Sequence, residues 1–216
     1  MYFGLLIALF FGIIWLGIVV VLRRKDRKSL VYLAYFTVFY IYFYKVLDYT
    51  LFQFQSLIIL RYFNPNLILR GESATKQINL VPLLTLTPKD AKTSLLNILL
   101  LVPFGFGLPF ITHYRMKQVV VRGMLFSIAI ELLQLISGLM AGITFRVADI
   151  NDVIFNTAGA AIGYMLFVGF VRFYRRASRN WKMSSNPMLL YIAQRPQVAK
   201  RLPAASPVAE QRKHPA

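Results

Sequence analysis

Charged residues cut the chain into long apolar runs. Residues 2–22 carry no charge and stop at the cluster Arg23-Arg24-Lys25-Asp26-Arg27-Lys28, and four further runs of similar length cover 30–47, 93–112, 119–140 and 153–171. A helix rising 1.5 Å per residue needs about 20 mostly apolar residues to cross a hydrocarbon core of about 30 Å. The pattern therefore predicts an all-α, polytopic integral membrane bundle of about five transmembrane helices. The first run has no basic segment before it and no small-residue cleavage site, so it is expected to be a retained span. Residues 1–47 then hold two N-terminal spans and residues 48–92 a loop. That loop contains apolar stretches at 51–54 and 57–60, too short to cross and suited to lying in the interface. Residues 79–171 form a core with three spans. Residues 172–216 form a basic tail, rich in Pro, Ala, Ser and Arg after Lys182, without periodic apolar spacing and expected to be disordered.

Composition sharpens this picture. The 216 residues include 25 Lys+Arg against 8 Asp+Glu, a net charge of +17, yet 57% are hydrophobic and the mean hydropathy is +0.57. That combination excludes a soluble domain, and the basic clusters between apolar runs report topology, because Lys and Arg next to a span stay in the cytoplasm. Residues 23–28, 113–122 and 172–216 hold five, three and ten of the basic residues and two of the acidic ones. The expected orientation is N-terminus outside and C-terminus cytoplasmic. Topology accounts for the charge, so no nucleic-acid partner is called for; the tail's expected contact is anionic lipid, near Arg172, Arg175, Arg176 and Arg179. With no cysteine, disulfides, thiolate metal sites and cysteine nucleophiles are all excluded.

In lipid the informative residues are polar, since ionised groups at mid-bilayer are costly. Asn97, Glu131, Gln134 and Asn156 fall within the last three spans; Arg146, Asp149, Asn151 and Asp152 lie just outside them. In the orientation given above, all sit in the outer half, where they form a candidate polar site. Glu131 and Gln134 share a helix face, and Asp149, Asp152 and Asn156 would share another if their helix began by Asp149. Asp149 or Asn151 suits the N-cap. Arg146 is expected to pair with Glu131, Asp149 or Asp152. Gly159 and Gly163 form a GxxxG step for close helix packing, with the Glu131 helix as the expected partner. Pro103, Gly105, Gly107 and Pro109 are expected to kink or loosen the third helix, and Tyr32, Tyr40 and Tyr44 to serve as belt and packing residues.

Four ordered segments stand out: Asn79-Leu80-Val81-Pro82; the run from Asn97 through Pro103, Gly105 and Gly107 to Pro109; Glu131-Leu132-Leu133-Gln134; and the run from Arg146 through Asp149, Asp152 and Asn156 to Gly159 and Gly163. Together they resemble the VanZ-like family of membrane proteins, named for teicoplanin resistance. The resemblance implies a multi-pass protein of the bacterial plasma membrane with a role in glycopeptide, especially teicoplanin, resistance, and implies no mechanism. Two readings of the polar residues stand: a clamp that fixes helix register, or a site for an extracytoplasmic ligand such as a cell-wall precursor lipid or a glycopeptide. A membrane enzyme with Glu131 as general acid and an Asp as base is a third, although no GxSxG, HExxH, P-loop or GxGxxG is present. A transporter ranks last, since the inner halves of these spans hold almost no ionisable groups. No cofactor and no metal are expected.

Overall fold

A computed structural model describes residues 2–51, 62–63, 78–82, 88–141, 148–180, 187 and 191. Five long helices dominate it: α1 (Tyr2–Arg24), α2 (Leu30–Thr50), α3 (Pro88–Ile111), α4 (Met116–Ala141) and α5 (Ile150–Asn180). All five are long and apolar enough to cross a membrane. Apart from Leu51, the apolar stretches 51–54 and 57–60 expected to lie in the interface fall outside the described residues, as does the tail beyond Asn180 except for residues 187 and 191. Two short strands, β1 (Ile78–Asn79) and β2 (Ala148–Asp149), pair in parallel, with Ile78 opposite Ala148 and Asn79 opposite Asp149. The apolar periodicity could not announce them, because two residues are too few to show a period.

Local chemistry sets the turns. Between α1 and α2 the chain reverses through Arg27, whose φ of 48° is left-handed, and Ser29 caps α2 by accepting a hydrogen bond from the Tyr32 amide. At the α3–α4 turn, the Gln118 side chain reaches back to the Arg115 amide at 3.0 Å, half of a capping box. The Asp149 carboxylate accepts from the Asn151 amide at 2.8 Å and so caps α5.

The core lies between α3, α4 and α5. Leu101, Val119, Ala160, Phe167 and Val171 are fully buried. Along α5 the buried positions Val153, Asn156, Ala160, Tyr164, Phe167, Val171 and Tyr174 recur every three or four residues, one stripe of a helix. The stripe outlasts the span expected to end at Val171, which is why the helix runs on to Asn180 and takes in the start of the segment expected to be a disordered tail.

Parallel packing of α3 against α5 is unusually close. A Cβ at Gly159 would overlap the carbonyl oxygen of Ile98, one at Gly163 that of Val102, and one at Gly105 that of Ala160. The GxxxG partner is thus α3, not the α4 helix expected from sequence. The reason is reciprocity: α3 contributes its own glycine at the crossing, and its carbonyls face α-hydrogens of α5, a geometry that favours weak C–H···O contacts. Gly105 is therefore a packing surface, and α3 stays helical across Pro103 and Pro109. On the other side, Ala160 meets Gly123 of α4.

α2 joins through aromatic rings. Phe39 lies 5.9 Å from Phe104, and Phe43 stacks on Phe126 at 5.0 Å, while the Tyr42 hydroxyl donates to the Leu100 carbonyl at 2.6 Å. α1 is apolar all round, and none of its spanning window is buried. Since lipid competes equally for such a helix, two hydrogen bonds do much of the docking: Trp15 Nε1 to Thr37 Oγ1 at 3.1 Å and the Tyr40 hydroxyl to the Phe11 carbonyl at 2.7 Å.

Gly163→Val is expected to destabilise the protein by about 2 kcal/mol or more, because the added carbons meet backbone that cannot move aside. Gly169→Ala, where a Cβ meets nothing within 4 Å, is expected to be neutral or stabilising by up to about 1 kcal/mol. Unfolding midpoints in detergent compare the two.

Candidate polar site

α3 begins, α4 ends and α5 begins at one end of the bundle, and the polar residues of all three gather there. Asn97 on α3 is 6% exposed, Glu131 on α4 8% and Asn156 on α5 2%. Two layers connect them. In the upper layer the Asp149 amide donates to Glu131 Oε2 at 3.2 Å, and Asn97 Nδ2 donates to Asp152 Oδ1. One turn deeper, Asn156 Nδ2 donates to Ser127 Oγ at 2.8 Å. Glu131 lies about 15 Å along α4 from Ala141, and Asn156 about 9 Å along α5 from Ile150.

Asp149 ties these layers to the distant loop. Its Oδ1 accepts from Asn79 Nδ2 at 3.1 Å as well as from the Asn151 amide, while Asn79 Oδ1 accepts from the Val81 amide at 3.1 Å. One residue thus holds the β1–β2 pair and the α5 cap through its carboxylate and Glu131 through its backbone amide. Because α5 starts at Ile150, Asp149 stands before the helix. The three acidic and amide positions that would share a face if the helix began by Asp149 instead diverge: Asp149 turns to Asn79, Asp152 to α3 and Asn156 to α4.

Gln134 shares the Glu131 face but leaves the cluster, donating from Nε2 to the Thr50 carbonyl at 2.9 Å and fastening α4 to the end of α2. Thr50 and Asn156 are nearly sealed, with exposures of 1% and 2%. Two buried acceptors, Gln134 Oε1 and Asn156 Oδ1, meet no hydrogen-bond donor among the described residues. Leaving such an atom unsatisfied costs about 1–3 kcal/mol. Arg146 and its expected pairing with Glu131, Asp149 or Asp152 lie outside the described residues.

A scan of family models matches VanZ/LLP1 over residues 30–172. The chain belongs to the VanZ/LLP1 family. α2, α3 and α4 fall within the match, which ends inside α5 at residue 172, and α1 precedes it. No curated protein and no solved structure matches the chain.

Within this VanZ/LLP1 core, sequence reasoning passed over three site residues. Ser127 stands four residues before Glu131 and seven before Gln134, so the polar stripe Ser127, Glu131, Gln134 was there to be found. Asn79 was visible only as part of a matching segment, and no local pattern tied it to Asp149. Thr50 gave no signal, since its burial depends on where α2 ends against α4. Among the described residues, no group of three or more His, Asp or Glu side chains is arranged to hold a metal ion.

Asp149→Ala is expected to remove the α5 cap, at about 0.5–2 kcal/mol, and to free Asn79. Amide hydrogen exchange at residues 78–81 should accelerate, whereas Asp149→Asn, which keeps an acceptor oxygen, should exchange nearly as slowly as wild type.

Proposed function

We propose that this VanZ/LLP1 protein acts at the bacterial plasma membrane, oriented with its basic loops in the cytoplasm, and that its polar end faces the outer leaflet. There it engages the polar head group of a cell-wall precursor lipid, or a glycopeptide, and so lowers susceptibility to teicoplanin-type antibiotics. The observation that carries this reading is the gathering of Glu131, Asp149 and Asp152 with the amides of Asn97 and Asn156 at one end of the bundle. Buried ionisable groups in a membrane more often mark a functional site than simple packing.

The chemistry suits such ligands. Carboxylates and the orphaned Asn156 Oδ1 are acceptors, and precursor head groups and glycopeptides are rich in amide N–H and hydroxyl donors. Arg146 supplies the cation for an anionic portion of the ligand. No covalent step is required of the protein, although Glu131, buried in the wall, keeps a membrane enzyme acting on an envelope lipid as the second reading.

In a teicoplanin-sensitive Gram-positive host, expression of the wild-type chain is expected to raise the inhibitory concentration of teicoplanin more than that of vancomycin. Glu131→Gln retains an oxygen for the Asp149 amide but loses the charge, and is expected to abolish the effect at matched membrane levels. Equal protection by both proteins would remove Glu131 from the mechanism. A new lipid species in wild-type membranes alone would favour the enzyme.

A further inference from the structure

A second feature lies away from the polar end. α2 and α3 run antiparallel, and between them and α5 is a cavity of about 310 Å³ lined by Tyr35, Phe39 and Tyr42 on α2, Phe106 and Phe110 on α3, and Phe170 on α5. Its α2 and α3 walls each follow the i, i+3, i+4, i+7 spacing of a single helix face, with Val38 completing one and Pro103 and Gly107 the other. Gly107 keeps this side of α3 thin, since a Cβ there would come within 2.8 Å of Phe39 Cδ2. The lining hydroxyl of Tyr42 is spent on the Leu100 carbonyl. Val38, which lines the cavity, is 69% exposed, so the space communicates with the surrounding hydrocarbon. At about 310 Å³ it is at the small end of ligand pockets, room for a length of chain and not for a head group.

One end of this cavity is basic. Tyr35 and Phe110, stacked at 4.9 Å, mark the start of α2 and the finish of α3, and beyond them lie the two short turns that carry Arg27 and Lys28 on one side and Arg115 on the other, with Arg122 in the second turn of α4. Two of these cations are already placed over rings next to the cavity wall. Lys28 Nζ sits 5.1 Å from the centre of the Tyr32 ring, one turn before Tyr35, and Arg122 Cζ sits 3.7 Å from the Tyr114 ring, four residues past Phe110. Tyr191 of the tail adds a third ring at this end, stacked on Tyr35 at 5.4 Å with its hydroxyl donating to the Phe110 carbonyl at 2.7 Å.

We infer that the cavity holds one hydrocarbon chain of an anionic membrane lipid whose head group is gripped by Lys28, Arg115 and Arg122 at the basic end. An aromatic slot open to hydrocarbon selects an alkyl or isoprenyl chain, and cations on both flanking turns select a negative head group. This inference is independent of the polar end: Asn97 and the cavity-lining residues occupy different faces of α3, and the basic turns lie at the other end of the bundle.

The test uses the full chain in lipid nanodiscs containing a trace of phosphatidylglycerol or phosphatidylcholine, each bearing the same diazirine-labelled acyl chain, with cross-linked positions mapped by mass spectrometry. Phosphatidylglycerol is expected to label Tyr35, Phe106 and Phe170 about five-fold more than phosphatidylcholine does, the effect of about one basic contact or more. Lys28→Gln with Arg122→Gln is expected to bring the two lipids level. Val38→Trp, which fills the slot, is expected to abolish labelling there while leaving that of Leu9 and Ile13 on α1 unchanged. Equal labelling by both lipids in wild type, or cavity labelling no stronger than on α1, would overturn the proposal. If Val38→Trp does not fold, the charge variant decides.

Discussion

The close parallel contact between α3 and α5 is the constraint from which the rest of the structure follows. Gly159 and Gly163 lie against the carbonyls of Ile98 and Val102, and Gly105 lies against that of Ala160. Water cannot drive helices together inside a bilayer, so an interface there depends on backbone approach and on polar contacts. Three glycines remove the side chains that would hold the helices apart. The polar contacts then follow, because a helix held this near to α3 brings Asp152 within reach of Asn97.

α4 is fixed relative to this pair at two levels. Deep in the bundle, Gly123 accepts Ala160, and Phe104 and Phe126 stack at 5.7 Å. Toward the polar end, Ser127 and Glu131 take up Asn156 and the Asp149 amide. The apolar level supplies rigidity, and the polar level inherits it. Side chains buried at 0–9% exposure and held by partners on several helices have little rotamer freedom left.

The molecule has two chemically opposite ends. One carries carboxylates and amides, buried or half-buried among α3, α4 and α5; the other carries short cationic turns and an aromatic slot beside α2. A bilayer presents different chemistry at its two faces. α1 takes little part in either, which agrees with its position before residue 30, where the VanZ/LLP1 match begins.

Five spans and their approximate bounds were legible in the sequence, because span length and apolar composition are set by the bilayer and not by neighbouring helices; the VanZ-like resemblance of the core rested instead on the residues of four ordered segments. Asn97, Glu131, Asp149, Asp152 and Asn156 were legible as a group for the same reason: polar residues stand out where the solvent is hydrocarbon. Which of them touch was decided by the tertiary structure. A GxxxG step announces that some helix comes close without naming it, and the choice of α3 over α4 rests on a glycine and on carbonyls whose alignment depends on the crossing of two helices that are distant in sequence. The link from Asn79 to Asp149 spans 70 residues and is made by a two-residue strand pair, shorter than any period a sequence can display. Depth in the membrane is a property of the chain read one residue at a time; contact is a property of pairs, and pairs exist only after folding.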